Sequence, residues 1–136
     1  MKVLVVDDEA FLAELVKLAL EADGHACFTA RSISEAAEIL RAVRVDLLTL
    51  DLTMNGSNPL GWLEEVLQAH PDLLGRVFIL TGRLLEPDEI ARAKTCGARV
   101  IQKPFTLHQL REIVRMITPA PRRAPDPHGP EPGVEP

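Results

Sequence analysis

Aromatic side chains are scarce in this 136-residue chain: four phenylalanines, one tryptophan and no tyrosine make up 4% of it. That leaves no stacking platform for the bases of a single-stranded nucleic acid. A basic excess is missing as well. The formal net charge is −5 and the isoelectric point lies near 5.3, which argues against nucleic acid as the main partner. No apolar run approaches the roughly 20 residues of a membrane span, and no charged-then-apolar leader precedes the first apolar segment, so a cytoplasmic protein without a membrane partner is expected. Only Cys27 and Cys96 are present. They form no CxxC or Cys/His ligand pattern and read as buried reduced thiols. His25, His70, His108 and His128 are scattered without ligand spacing and suit structural or solvent-facing roles. A glycine-rich loop that could receive a pyrophosphate is absent after the first apolar run, where Asp7-Asp8-Glu9 stands instead.

What is present is one core's worth of apolar residues, 46% of the chain, too short for a second folded domain. They are arranged in alternating short runs and amphipathic stretches. Lys2 to Val6 predicts a first buried strand. Over Ala10 to Asp23, Leu12, Leu15, Val16 and Ala19 share one helical face, and Gly24 supplies a stop. A weaker strand is expected over 25–30. Ser32 and Glu35 have capping-box spacing, and Ile33, Ala36, Leu40 and Val43 trace a second helix ending near Arg44. Val45 to Asp51 reads as a buried strand, because it is short, apolar and continuous. Its terminal Asp51 is expected to be presented, not buried.

A turn-rich segment, 52–59, leads to a third helix with Leu60, Leu63, Val66 and Leu67 on one face, stopped before Pro71. Trp62 falls outside that stripe and is expected at the surface. Arg76 to Thr81 predicts a fourth strand. Pro87 suits the first turn of a fourth helix that runs to about Cys96 and stops at Gly97. Its stripe, Ile90, Ala91 and Ala93, is thin, so this helix is expected to be held least firmly. Val100 to Lys103 predicts a fifth strand, ended by Pro104. Thr106 and Gln109 form another capping box ahead of Leu110, Ile113, Val114 and Ile117. From Pro119 on, 7 of 18 residues are proline, so 119–136 is expected to be a disordered tail and 1–118 the folded domain.

Five strand-helix pairs with short connections imply an α/β fold with a doubly wound parallel sheet and right-handed crossovers. In strand order 2-1-3-4-5 the ligand site lies beyond the carboxyl ends of the first and third strands, where Asp7, Asp8 and Asp51 would meet. Carboxylates about 5 Å apart repel by roughly 3 kcal/mol per pair at an effective dielectric near 20. A hard divalent cation such as Mg²⁺ relieves that repulsion with oxygen ligands. Lys103 adds a second positive charge and Thr81 a hydroxyl donor. An acid nucleophile, a metal, a lysine and a hydroxyl together suit phosphoryl transfer.

Val5-Val6-Asp7-Asp8-Glu9, Asp51 with Met54, Leu80-Thr81-Gly82 and Lys103-Pro104-Phe105 together resemble the signature of response-regulator receiver domains of two-component signalling. The resemblance covers residues 1 to about 118 and implies the flavodoxin-like fold just described. It implies that Asp51 accepts a phosphoryl group from a sensor histidine kinase or histidine phosphotransfer protein. By the same resemblance Asp8 and Asp51 are side-chain Mg²⁺ ligands, the Thr53 carbonyl is a main-chain ligand, and Asp7 acts through water. Lys103 would pair with Asp51 and then with the phosphoryl group, and Thr81 would turn inward to a phosphoryl oxygen. It further implies a cis Lys103-Pro104 peptide and a first helix that helps dock the kinase; Phe11 is expected at the rim or in the core and Leu12 in the core, and the expected absence of an output domain motivates a downstream protein target.

Three features depart from the family pattern. Asn55 follows Met54, and Gly61 lies ten positions beyond Asp51, so the loop after the acceptor is about two residues longer. Val100 replaces the usual aromatic, and the segment from Gly97 to Lys103 is one residue short, as in the receivers of hybrid kinases. The longer loop and Val100 motivate an alternative, a pseudo-receiver that binds proteins without phosphorylation. Taken alone, Asp7-Asp8 also fits a plain helix N-cap. A phosphatase using Asp51 on small phosphoesters is disfavoured, because Leu52-Thr53 supplies no general acid.

Overall fold

The computed structural model describes residues 1–54 and 57–117. Five parallel strands alternate with five helices: β1 Lys2–Val6, α1 Ala10–Ala22, β2 Ala26–Ala30, α2 Ile33–Ala42, β3 Leu47–Asp51, α3 Pro59–Ala69, β4 Val77–Thr81, α4 Pro87–Thr95, β5 Arg99–Gln102 and α5 Leu107–Arg115. The strands lie in the order β2-β1-β3-β4-β5. This is the doubly wound arrangement expected from the alternation of segments, with β1 and β3 as neighbours. The expected tail, 119–136, and Asn55 lie outside the described residues.

Every residue of β3 and β4 is buried, as central strands covered on both faces require. Alternate side chains feed two cores. One face of the sheet carries Leu4, Val6, Leu48, Leu50, Val77 and Ile79 against α2, α3 and α4. The other carries Val3, Val5, Leu47, Phe78, Leu80 and Ile101 against α1 and α5.

Local signals set the helix ends. Ser32 accepts the Glu35 amide at 3.1 Å, but Glu35 reaches back to the Arg31 amide, so only half of that expected box forms. The Thr106 and Gln109 box closes in both directions, at 3.0 and 2.8 Å. A further box, Glu86 with Glu89, caps α4. Gly24 and Gly97 take positive φ, 90° and 66°, at the ends of α1 and α4.

Several expectations are corrected. The buried face of α1 is Ala13, Val16 and Leu20, with Leu12, Leu15 and Ala19 half-buried. This helix carries apolar residues all round, Phe11 at 78% and Leu18 at 55% exposure included, so periodicity alone left its orientation open. Trp62 packs partly buried against the core instead of lying free at the surface. In α4 only Ala93 is buried; Ile90 and Ala91 face out.

Thr49 lies in the middle of β3 between Val5 and Phe78, fully buried, with a hydroxyl that has no hydrogen-bond partner among the described residues. An unpaired buried hydroxyl is destabilising. Thr49→Val is therefore expected to stabilise the fold by about 1 kcal/mol, read as a higher urea midpoint at unchanged slope.

Candidate functional site

Four of the residues picked out above stand where strands end. Asp51 is the last residue of β3 and Thr81 the last of β4, while Asp7 directly follows β1 and Lys103 directly follows β5. Strand alternation then sorts their side chains. Asp7, Asp51 and Lys103 share the face of Val5, Leu47 and Ile101, whereas Thr81 continues the opposite face, that of Val77 and Ile79. The first three converge in consequence, and Thr81 stands across the sheet edge from them.

Asp7, Asp8 and Asp51 each offer a carboxylate oxygen within 4.8 Å of the others. Asp51 is only 2% exposed, so the expectation that it is presented rather than buried is corrected: β1 and β4 flank it and the following turn covers it. Its Oδ1 accepts the Thr53 amide at 2.9 Å and the Thr53 hydroxyl at 2.7 Å. Asp7 Oδ1 accepts the Glu9 amide at 2.9 Å. Glu9 is itself the N-cap of α1 and makes no side-chain cap bond, so the Asp pair does not serve as the plain helix cap that was one reading of it.

The Lys103 ammonium lies 3.6 Å from each of Asp7 Oδ2, Asp51 Oδ2 and Glu9 Oε1. Those distances describe ion pairing shared three ways, longer than a direct hydrogen bond. Among the described residues Lys103 is the one cation paired with this cluster, which holds four carboxylates when Asp8, grouped with Asp7 and Asp51, is counted. Burial pushes the Asp7 carboxyl up to about 6; the Glu9 amide and Lys103 pull it down, and the Asp51 charge adds to the rise. The donor set suits a hard divalent ion: clustered carboxylate oxygens, excess negative charge, and one oxygen of Asp51 left on the Lys103 side. Lys103–Pro104 is a cis peptide, as the resemblance implied.

Thr81 is not turned toward this cluster. Its hydroxyl donates to the Arg83 carbonyl at 3.0 Å and accepts the Arg83 amide at 3.2 Å. Val100, at the position expected to lack an aromatic, is 40% exposed on the edge strand. Two contacts escaped the reading of the sequence. The resemblance assigns Thr53 only its carbonyl, although Asp-Leu-Thr carries the signal of a side chain bonding the backbone two residues on. Glu9, the third acid of its run, had no assigned part.

Comparison with known proteins decides the family. Residues 3–115 match the response regulator receiver domain family. The chain belongs to it. Among curated relatives of this receiver, the probable transcriptional regulatory protein TcrX of Mycobacterium tuberculosis is 34% identical over 79% of this chain and 45% of its own length. The transcriptional regulatory protein BasR of Escherichia coli is 31% identical over 86% of this chain and 52% of its own. The receiver thus spans about half the length of the curated relatives it matches. A response regulator from Thermotoga maritima superposes with a TM-score of 0.72 at 32% identity, covering 84% of this chain and 93% of that one. The chemotaxis protein CheY4 of Vibrio cholerae shares the fold at 24% identity, with a TM-score of 0.76 over 86% of this chain and 98% of its own. Among the described residues, no helix is long and apolar enough to cross a membrane.

The raised Asp7 carboxyl sets a pH dependence. Its folded value, about 6, lies above the ordinary 3.8, so the folded state binds this proton more tightly than the unfolded chain does. The resulting stability is fully present below about pH 4 and lost as pH rises through about 6. In chelator, the urea stability of the wild type relative to Asp7→Asn should fall by up to about 3 kcal/mol between pH 4 and pH 7.5. Equal pH profiles for the two proteins would count against the placement of Asp7.

Proposed function

We propose that this receiver is a cytoplasmic phosphoacceptor, in which Asp51 takes a phosphoryl group from the phosphohistidine of a sensor histidine kinase or histidine phosphotransfer protein. The observation that carries the reading is the convergence of Asp51, Asp7, Asp8 and Lys103 at one edge of the sheet. Thr53 occupies Oδ1 of Asp51 with two donors, which leaves Oδ2 as the more available nucleophile. Its electron pair forms the new P–O bond while the P–N bond breaks, and the bonding pair returns to the imidazole nitrogen, which regains a proton. Lys103, already beside Oδ2, is placed to follow the charge onto the phosphoryl oxygens.

Asp8, Asp51 and the Thr53 carbonyl would hold Mg²⁺, with Asp7 acting through water, and the bound ion would neutralise phosphoryl oxygens during transfer. Thr81 would exchange its bonds to Arg83 for one to a phosphoryl oxygen. The domain comprises 1–118, with 119–136 as a proline-rich tail. Phosphorylation adds up to about one negative charge to a cluster already short of cations, and the response is altered binding to a protein target. The relatives are named as transcriptional regulators, and the match with this receiver covers 45% and 52% of their lengths. A pseudo-receiver that binds partners without phosphorylation is the weaker reading, because the acids and the lysine are all present and lie together.

Incubation with acetyl phosphate and Mg²⁺ should add one phosphoryl group by intact mass, absent in Asp51→Asn and in chelator. Lys103→Ala should slow the gain by at least about tenfold, the loss of one preorganised electrostatic contact. Modification that persists in Asp51→Asn would overturn the assignment, and no gain from either acetyl phosphate or a phosphorylated histidine protein would favour the pseudo-receiver.

A further inference from the structure

The four carboxylates around the acceptor divide into two sets. Asp7, Asp8 and Asp51 bring ligand oxygens within 4.8 Å of one another, whereas Glu9 is outside that group and its carboxylate pairs with Lys103, 3.6 Å away. Glu9 stands at the N-cap of α1, where a side chain ordinarily bonds the amides of the first turn. It makes no such bond. Main-chain bonds fix the residue at both ends, its amide donating to Asp7 Oδ1 at 2.9 Å and its carbonyl accepting the Ala13 amide at 3.0 Å. The carboxylate is thereby spent on Lys103 instead of on its own helix.

Lys103 is anchored in turn. Its amide donates to the Thr81 carbonyl at 2.7 Å, and its stem runs past Gly82, where an added Cβ would stand 4.0 Å from the Lys103 Cδ. The ammonium end is what can change partners, and its three partners are unlike. The side chains of Asp7 and Asp51 are each 2% exposed, that of Glu9 67%. An ammonium and a divalent cation drawn to the same buried acids repel each other, and burial leaves that repulsion only partly screened. Glu9 offers the ammonium a solvated counter-charge outside the contested acids. We propose that Glu9 is a positioning residue: it holds the Lys103 ammonium as Mg²⁺ takes Asp51, and so sets the Mg²⁺ concentration at which the site becomes loaded. This rests on the reading of Asp8 and Asp51 as Mg²⁺ ligands. Among the described residues Asp7 and Asp51 are the other acids paired with that ammonium, so without Glu9 it competes with the ion for them.

The test is a calorimetric Mg²⁺ titration of the full chain as wild type, Glu9→Gln, Glu9→Asp, Lys103→Met, the double variant Glu9→Gln with Lys103→Met, and Asp8→Asn. Glu9→Gln should raise the Kd about three- to fivefold, the scale of one exposed ion pair. Glu9→Asp, which keeps the charge on a shorter arm, should recover part of that loss. Lys103→Met should bind Mg²⁺ more tightly than the wild type. With the lysine gone, the effect of Glu9→Gln should shrink to less than about 1.5-fold, because the partner through which it acts is missing. A carboxylate that acts only through its own field on the ion would give the same factor with and without Lys103, and that result would overturn the proposal. So would an unchanged Kd in Glu9→Gln while Asp8→Asn loses binding. Equal binding by wild type and Asp8→Asn, or no binding by either, would instead remove the reading of the metal ligands and this inference with it.

Discussion

The Lys103 ammonium among four carboxylates is the constraint on which the functional end of this molecule depends. Parallel strands deliver all their carboxyl ends to one edge, and here β1, β3 and the segment after β5 each deliver a charge there. A cluster with one cation and four acids is electrostatically incomplete, and burial makes the deficit worse for Asp7. The protein tolerates the imbalance because the surrounding core is well packed: Val5, Leu47, Phe78 and Leu80 lie directly beneath on the same face. Stability is thus supplied by the apolar sheet, and the edge is left free to be electrostatically hungry.

The contrast between helices follows the same division. α3 buries Leu60, Leu63 and Val66, and α5 buries Leu110 and Val114 while Arg111 reaches Asp23 beyond the end of α1 at 2.6 and 2.9 Å. These elements are fixed by apolar contact with ion pairs added. In α4 the proportions are reversed, so its position depends on interactions that are directional, solvent-accessible and open to exchange of partners.

Most of the fold was legible in the sequence, and the parts that were not share a cause. Continuous apolar runs at Val3–Val6 and Leu47–Leu50 admit little besides buried strands, and Gly24, Pro71, Pro87 and Gly97 punctuate the helices at places the structure confirms. The face of α1 was not legible, because Phe11 and Leu18 put apolar residues on its outer side too. Trp62 was misplaced because a helical wheel knows nothing of the wide apolar surface beside α3. At the site, the convergence of Asp7, Asp8, Asp51 and Lys103 could be read from strand ends and order. The bonds of Thr53 to Asp51 carry a sequence signal, whereas the ion pair of Glu9 with Lys103 and the bonds of Thr81 to Arg83 do not, since each depends on side-chain rotation.

The half-buried Trp62 has a consequence for how this molecule can be watched. It is the sole tryptophan of a chain without tyrosine, and it sits on α3, the helix that follows the turn after Asp51. Its indole packs against the core beside Ile33 and Glu65, at the mouth of a cleft bounded by Ser57 and Asn58. Near-ultraviolet emission from the native protein therefore comes from a single address. The chain carries its own optical reporter on the segment next to the acceptor, with no competing fluorophore to subtract.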